Sequence, residues 1–198
     1  MQRKKLTTRQ AQAIKTKAKI YNTAFDLMEK KGFDNITIEE ISKKAGVSVG
    51  AFYHYFKSKN DILFEIFHRA DEYFKDSVEN KLVSEHIEDQ IVEYFTHYAR
   101  YSNQTGIEFT KHLYNTENKY FLKKDRYMLT VLQDIIRSGQ DSGRITADLD
   151  PDHMSDYFFI AARGLIFDWC LNDGSYDLEE KMSLYFKRLV NVFSVKPV

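Results

Sequence analysis

The stretch from Thr37 to Lys59, TIEEISKKAGVSVGAFYHYFKSK, decides the reading of this chain. Thr37 and Glu40 have the spacing of a capping box, which starts a helix at Ile38. Ile38, Ile41 and Ala45 put one apolar stripe on that helix, with Glu39, Lys43 and Lys44 off it. Gly46 ends it, because glycine enters the left-handed conformation that a helix C-terminus often needs. Val47 plugs the turn, Ser48 is a good N-cap, and a second helix runs from Val49 to about Phe56. Phe52 and Phe56, four residues apart, face inward. Two short helices joined by a tight turn are the grammar of a helix-turn-helix, whose second helix enters the DNA major groove.

Upstream, apolar residues at Ile14, Ala18, Tyr21, Phe25 and Met28 predict a helix from about Ala13 to Lys31. Lys30 and Lys31 suit its negative end, and Gly32 stops it. Phe33 and Ile36 plug the small core before Thr37. Residues 1–12 carry Arg3, Lys4, Lys5 and Arg9 with little apolar content. They read either as an arm for the DNA backbone or minor groove, or as a solvated tail. The formal net charge of +0 hides an asymmetry. Residues 1–60 hold 13 Lys+Arg against 5 Asp+Glu, a net of +8, and residues 61–198 carry the balancing −8. A basic end is expected where a chain meets phosphate.

Downstream, Ser58 caps a helix expected over Lys59 to Val83, with Ile62, Ile66, Phe67, Ala70 and Phe74 on its apolar face. Further helices are expected over residues 84–102, briefly around Ile107–Tyr114, and over 118–142, 151–172 and 177–195. Gly143 and Pro151 punctuate the last connection. With 43% hydrophobic residues, 15% aromatics and only two prolines in 198 residues, long helices and a sizeable core are expected. The single Cys170 excludes an internal disulfide and fits a reducing cytoplasm. No leader pattern opens the chain and no apolar run is long enough for a membrane span, so the expectation is a cytoplasmic protein with no membrane partner.

The residues Ala45-Gly46-Val47-Ser48, followed by Phe52-Tyr53-x-Tyr55-Phe56-x-x-Lys59, resemble the signature of the tetracycline-repressor (TetR) family of transcription regulators. Many members have Thr where this chain has Ala51, a residue that often contacts a phosphate. The resemblance covers roughly residues 10 to 65. A later Gly139-x-x-x-Gly143-x-Ile145…Asp150-Pro151 passage is similar to one that precedes the family's last two helices. The implied fold is all-α: a three-helix DNA-binding domain over residues 1–62, with its motif at about 37–56, and a helical ligand-binding and dimerisation domain over 63–198. The implied function is a ligand-responsive regulator, in the commoner mode a repressor. It would hold a palindromic operator as a homodimer and be released by a small hydrophobic or aromatic effector. A ligand-independent DNA-binding protein with a filled interior, or a helical enzyme, are the other readings.

The expected DNA-facing set is Thr37, Ser48, Val49, Gly50, Ala51, Tyr53, His54, Tyr55, Lys57 and Lys59. The tyrosine hydroxyls and lysines suit phosphates, His54 a base edge or phosphate, and Val49 and Ala51 a thymine methyl. Gly50 either lets the backbone approach DNA or sits at a helix start where glycine costs little. Expected ligand-binding residues are Phe95, Tyr98, Phe109, His112, Tyr127, Phe159 and Phe167, since aromatic walls suit a hydrophobic molecule. Through the resemblance, Phe158, Ala162, Leu165, Tyr185, Phe186, Leu189 and Phe193 are the expected dimer interface on the last two helices. No phosphate loop, zinc motif or paired cysteines occur, so no catalytic residue, cofactor or metal is expected. Cys170 beside Trp169 reads as packing, and Asp150, Asp152 and His153 read as capping groups.

Overall fold

The computed structural model describes residues 7–79, 81–115 and 118–195. Arg3, Lys4 and Lys5 of the expected arm lie outside them. Among the described residues there are nine α-helices, two 3-10 turns and no strand. The chain divides into two compact units between Ile66 and Phe67, inside the fourth helix.

The first unit contains α1 (Thr8–Lys31), α2 (Ile38–Ala45), α3 (Val49–Tyr55) and the start of α4 (Lys59–Ser77). Helix α1 begins five residues before the expected Ala13. Thr7 and Gln10 close a capping box there, so Arg9 lies in the first turn and not in a tail. Its buried stripe is Ile20, Tyr21, Ala24, Leu27 and Met28, while Ile14 is exposed. The expected stripe was rotated because Tyr21 and Met28 fit both registers. Gly46 has φ 64°, a left-handed cap that a side chain would strain. Ile41, Ala45, Phe52 and Phe56 are all buried. Ser58 and Asp61 cap α4: the Ser58 hydroxyl accepts from the Asp61 amide at 3.3 Å, and Asp61 accepts from the Lys57 amide at 2.7 Å.

The second unit contains the rest of α4, then α5 (Ile87–Thr105), α6 (Ile107–Leu113), a 3-10 turn at Lys119–Leu122, α7 (Tyr127–Asp141), α8 (Pro151–Leu171) and α9 (Leu178–Leu189). A second 3-10 turn, Val190–Val192, extends α9. Three expectations need correction. Helix α4 stops at Ser77, not Val83: the Val78 and Glu79 amides both turn back to the Phe74 carbonyl, and Val83 is exposed. Helix α5 starts at Ile87 and not at residue 84. The single helix expected over 118–142 is two pieces separated by extended backbone at Lys123 and Arg126.

The core of this unit is aromatic. Phe95 stacks on Phe186 at 4.0 Å between centroids and meets Phe158 and Phe159 at 5.9 and 5.4 Å. Tyr94 is fully buried and donates its hydroxyl to the Met128 carbonyl at 2.7 Å, which satisfies the polar end. Gly139 is needed for close approach: a Cβ there would lie 2.6 Å from Ile145 and 2.7 Å from Ile87. The segment after α7 is tied to the C-terminal end, where Thr146 donates to Phe193 and Val195 donates to Arg144, each at 2.8 Å. No described helix is long and apolar enough to cross a membrane.

Candidate nucleic-acid interface and ligand cavity

The helix-turn-helix is built by its caps. Thr37 Oγ1 accepts from the Glu40 amide at 3.1 Å, and Ser48 Oγ accepts from the Ala51 amide at 3.1 Å. The Glu40 carboxylate takes Lys31 Nζ at 2.5 Å, so Thr37 and Glu40 form half of the expected box. On α3, Phe52 anchors the helix and Tyr53 packs edge-on against it, 5.7 Å away, leaving Tyr53 45% exposed. Val49, His54 and Lys57 are exposed, and Ala51 and Tyr55 are half-buried, with Tyr55 held edge-on by His54. A Cβ on Gly50 would meet nothing nearer than Ser48 Oγ at 3.9 Å, and its φ is not positive. Nothing inside the protein therefore requires glycine there.

Lys59 departs from expectation. Its ammonium donates to the Phe33 and Ile36 carbonyls at 2.7 and 3.1 Å and lies 4.4 Å from the Phe33 ring centre. A cation at a helix N-terminus opposes the dipole, and here it turns onto carbonyls of the preceding loop. Its role in this geometry is to hold the α1–α2 loop in place.

The second unit holds a cavity of about 20 Å³, room for about one water, among α5, the 119–126 segment, α7 and α8. Tyr98, Phe121, Met128, Leu129 and Phe159 form its apolar wall. Lys123, Lys124, Arg126 and Arg163 line it as well, against one carboxylate, Asp156. Lys124 Nζ sits on Asp156 at 2.6 and 2.7 Å, and that hydrogen bond holds its pKa above the ordinary lysine value. Arg163 donates to the Phe159 and Phe121 carbonyls at 3.0 and 3.1 Å. Arg126, with its side chain 10% exposed, faces Asp71.

Of the expected ligand residues, only Tyr98 and Phe159 line this cavity. Phe95 and Phe109 are core, Phe167 is exposed, and Tyr127 donates its hydroxyl to Glu79 at 2.7 Å. His112 is half-buried away from the lining. The missed signal was the run Lys119-Tyr-Phe-Leu-Lys-Lys-Asp-Arg126, which interleaves four cations with aromatics. A second, more open cleft of about 310 Å³ lies between α5 and α9. It mixes Asp89 and Glu93 with Arg100 and Lys187, so its charge selects no ligand sign. Its His97 bonds the Tyr73 hydroxyl at 2.8 Å, and burial pulls the His97 pKa down.

The expected dimer residues lie mostly inside the subunit. Phe158, Ala162, Leu165, Phe186 and Phe193 are buried in the subunit's own core, and only Tyr185 is exposed, with Leu189 half-buried. The unpartnered face lies a quarter turn away. Tyr157, Ile160, Gly164, Phe167 and Leu171 on α8 recur at three- and four-residue spacing and are all exposed, Ile160 by 63%. Leu184 and Tyr185 on α9 and Val192 beyond it are exposed too. A run of exposed apolar residues on one helix face is the kind of surface that protein association sites carry.

Burial lifts the Cys170 thiol to about 11. At pH 8 its thiolate fraction is then about 0.1%, against roughly a quarter for a free thiol. Iodoacetamide at pH 8 is expected to leave Cys170 unmodified in the folded protein and to alkylate it in denaturant. Rapid alkylation of folded protein, read by mass spectrometry, would contradict this burial.

Two comparisons with known families match most of the chain. Residues 20–66 match the family described as bacterial regulatory proteins, tetR family, and residues 75–192 match the YsiA-like protein C-terminal region. The fatty acid metabolism regulator protein of Bacillus subtilis is 24% identical over 166 residues, covering 80% of this chain and 86% of that protein. A crystal structure of FadR from Bacillus subtilis in complex with stearoyl-CoA has a TM-score of 0.70 at 23% identity, over 87% of this chain and 96% of that one. The Thermus thermophilus FadR structure in complex with lauroyl-CoA has a TM-score of 0.69 at 18% identity, over 92% and 97%.

Proposed function

The chain belongs to the tetR family of bacterial transcription regulators, and on that premise we propose that it is a homodimeric repressor whose effector is an acyl thioester of coenzyme A. The observation that carries this reading is the cavity's chemistry. Its wall is aromatic and aliphatic, while Lys123, Lys124, Arg126 and Arg163 supply cations at the same place. An amphipathic anion matches both halves once the wall parts to admit it: the closed cavity of about 20 Å³ holds about one water, so an acyl chain displaces Tyr98 and Phe159 while phosphates take the cations. The lining carries four cations against one carboxylate, Asp156, a balance that favours an anionic ligand over a plain hydrophobic or aromatic one. The stearoyl-CoA and lauroyl-CoA complexes of the two FadR structures agree with that chemistry.

The DNA side rests on α3. Val49, Tyr53, His54 and Lys57 are exposed on it or just after it, and Gly50 leaves room for a close backbone approach. Thr37, Ser48, Ala51 and Tyr55 complete the proposed surface, and Lys59 supports it from behind. Two copies joined through the Ile160 face present two such helices, as half-sites about 34 Å or a multiple apart require. The acyl-CoA favours a conformer with lower operator affinity, and release follows from that difference.

The test is binding to DNA fragments around the protein's own gene across salt concentrations, followed by addition of acyl-CoAs, free CoA and free fatty acids. One fragment is expected to bind tightly and salt-sensitively, and acyl-CoA alone to release it. Operator binding that no acyl-CoA shifts would remove the effector reading. It would favour ligand-independent binding, which the small cavity volume also suits. Lys57→Ala is expected to weaken binding to every duplex alike and to flatten the log–log salt slope by about 1 per lost phosphate contact. An unchanged slope would take Lys57 off the backbone.

A further inference from the structure

We propose that Arg126 is the residue through which the cavity controls α4: the effector's phosphate takes its guanidinium away from Asp71 and the Phe67 carbonyl, and so unlatches that helix. The proposal rests on the anionic-effector reading of the cavity. Arg126 lies at the N-cap of α7 with no side-chain cap bond of its own. The cap comes from α4 instead, where Asp71 Oδ1 accepts from the Met128 amide at 3.1 Å. The same carboxylate takes Arg126 Nε at 3.4 Å and Nη2 at 3.3 Å, and Nη2 also donates to the Phe67 carbonyl at 3.2 Å. The Phe67 ring lies 5.0 Å from the guanidinium and stacks on Tyr120 at 5.0 Å and 17°, with Phe121 edge-on at 5.2 Å. Residues 67 and 71 of α4 thus meet two lining residues, Arg126 through hydrogen bonds and Phe121 through a ring contact.

The latch is poised for exchange. Good charge-assisted bonds between guanidinium and carboxylate are about 2.7–2.9 Å, and these are 3.3 and 3.4 Å. Nη1 makes none of them. A phosphate offers Arg126 a shorter, forked pairing. Asp71, whose side chain is 21% exposed, would then keep only the Met128 amide. With the guanidinium gone, α4 loses the bonds at Phe67 and Asp71 that held it against the Arg126 segment, and it is free to shift. Helix α4 is unbroken from Lys59 to Ser77, so the caps at Ser58 and Asp61 and the latch at Asp71 belong to one element.

The experiment uses the full chain, its operator and lauroyl-CoA. In Asp71→Asn the amide oxygen can still accept from Met128, but the charge that holds Arg126 is gone. Ligand-free Asp71→Asn is expected to bind operator with an affinity near that of ligand-saturated wild type. It should bind lauroyl-CoA several-fold more tightly, because Arg126 no longer has to leave a partner. The factor by which ligand weakens operator binding should fall from a typical 5–150-fold to under twofold. Arg126→Gln is expected to weaken operator binding in the same way but to lose at least tenfold in lauroyl-CoA affinity. Opposite signs on ligand affinity from the two halves of one pair are not expected of a merely structural contact. Wild type that binds no acyl-CoA would overturn the effector reading and the latch with it. Wild type that responds, with Asp71→Asn responding by the same factor, would overturn the latch alone. Should Asp71→Asn fail to fold, Arg126→Gln decides: release by saturating lauroyl-CoA with the wild-type factor sinks the proposal.

Discussion

Ile160→Glu is expected to make the protein monomeric and to lower its affinity for a full operator by about 10²–10⁴-fold, while leaving half-site affinity unchanged. The reason is where Ile160 sits. It is 63% exposed on α8, beside Gly164, where a built Cβ would touch nothing. A carboxylate there costs the isolated subunit little, because water reaches it. In a dimer that covers this face it would be buried without a partner, which a stable interface of about 1,200–2,000 Å² does not tolerate. Sedimentation gives the oligomeric state, and titration of full and half operators gives the split. Leu189→Glu, the substitution that helical periodicity alone suggests, should behave differently. Leu189 is half-buried and packs on the core, so the charge would destabilise the subunit itself. An Ile160→Glu protein that stays dimeric would move the interface off α8.

The second large effect is expected for Phe95→Ala: a loss of about 3–5 kcal/mol of folding stability. For a chain of this size that corresponds to roughly 10 °C in melting temperature. Phe95 is fully buried and makes ring contacts with five aromatic residues: Tyr94, Tyr98, Phe158, Phe159 and Phe186. Two of them, Tyr98 and Phe159, are also the cavity wall. Removing the ring leaves a void directly behind that wall. Phe167→Ala, a deletion of the same size on an exposed site, is expected to change monomer stability by less than about 0.5 kcal/mol. Thermal melts of both variants would decide, and equal losses would contradict the placement of Phe95 at the centre of the core.

The contrast between these two phenylalanines shows what the sequence could and could not convey. The helix-turn-helix was legible because its determinants are local. A threonine, a left-handed glycine and a serine fix where two helices start and stop, and the periodicity between them fixes what turns inward. Helix α8 was harder because it is apolar almost all round, and periodicity cannot say which stripe meets the subunit's own core and which meets a partner. Tyr157 and Phe158 are neighbours of equal apparent merit, and only packing separates them. The cavity was illegible for another reason. Three of its four cations come from a segment, Lys123 to Arg126, that reads as part of one solvated helix until Phe67 and Asp71 hold it in place. The break before α7 carries no glycine or proline, so tertiary contacts set it and no local rule announces it.

Cys170 has a practical consequence. It is the chain's only thiol, and burial keeps it almost wholly protonated near neutral pH. A cysteine introduced at an exposed position such as Lys44 would therefore react alone, with the native residue left in place. In the proposed dimer such a chain carries one spin label or dye per copy. The separation between the two labels becomes a ruler, read in solution with and without acyl-CoA, for how far the paired DNA-reading ends stand apart.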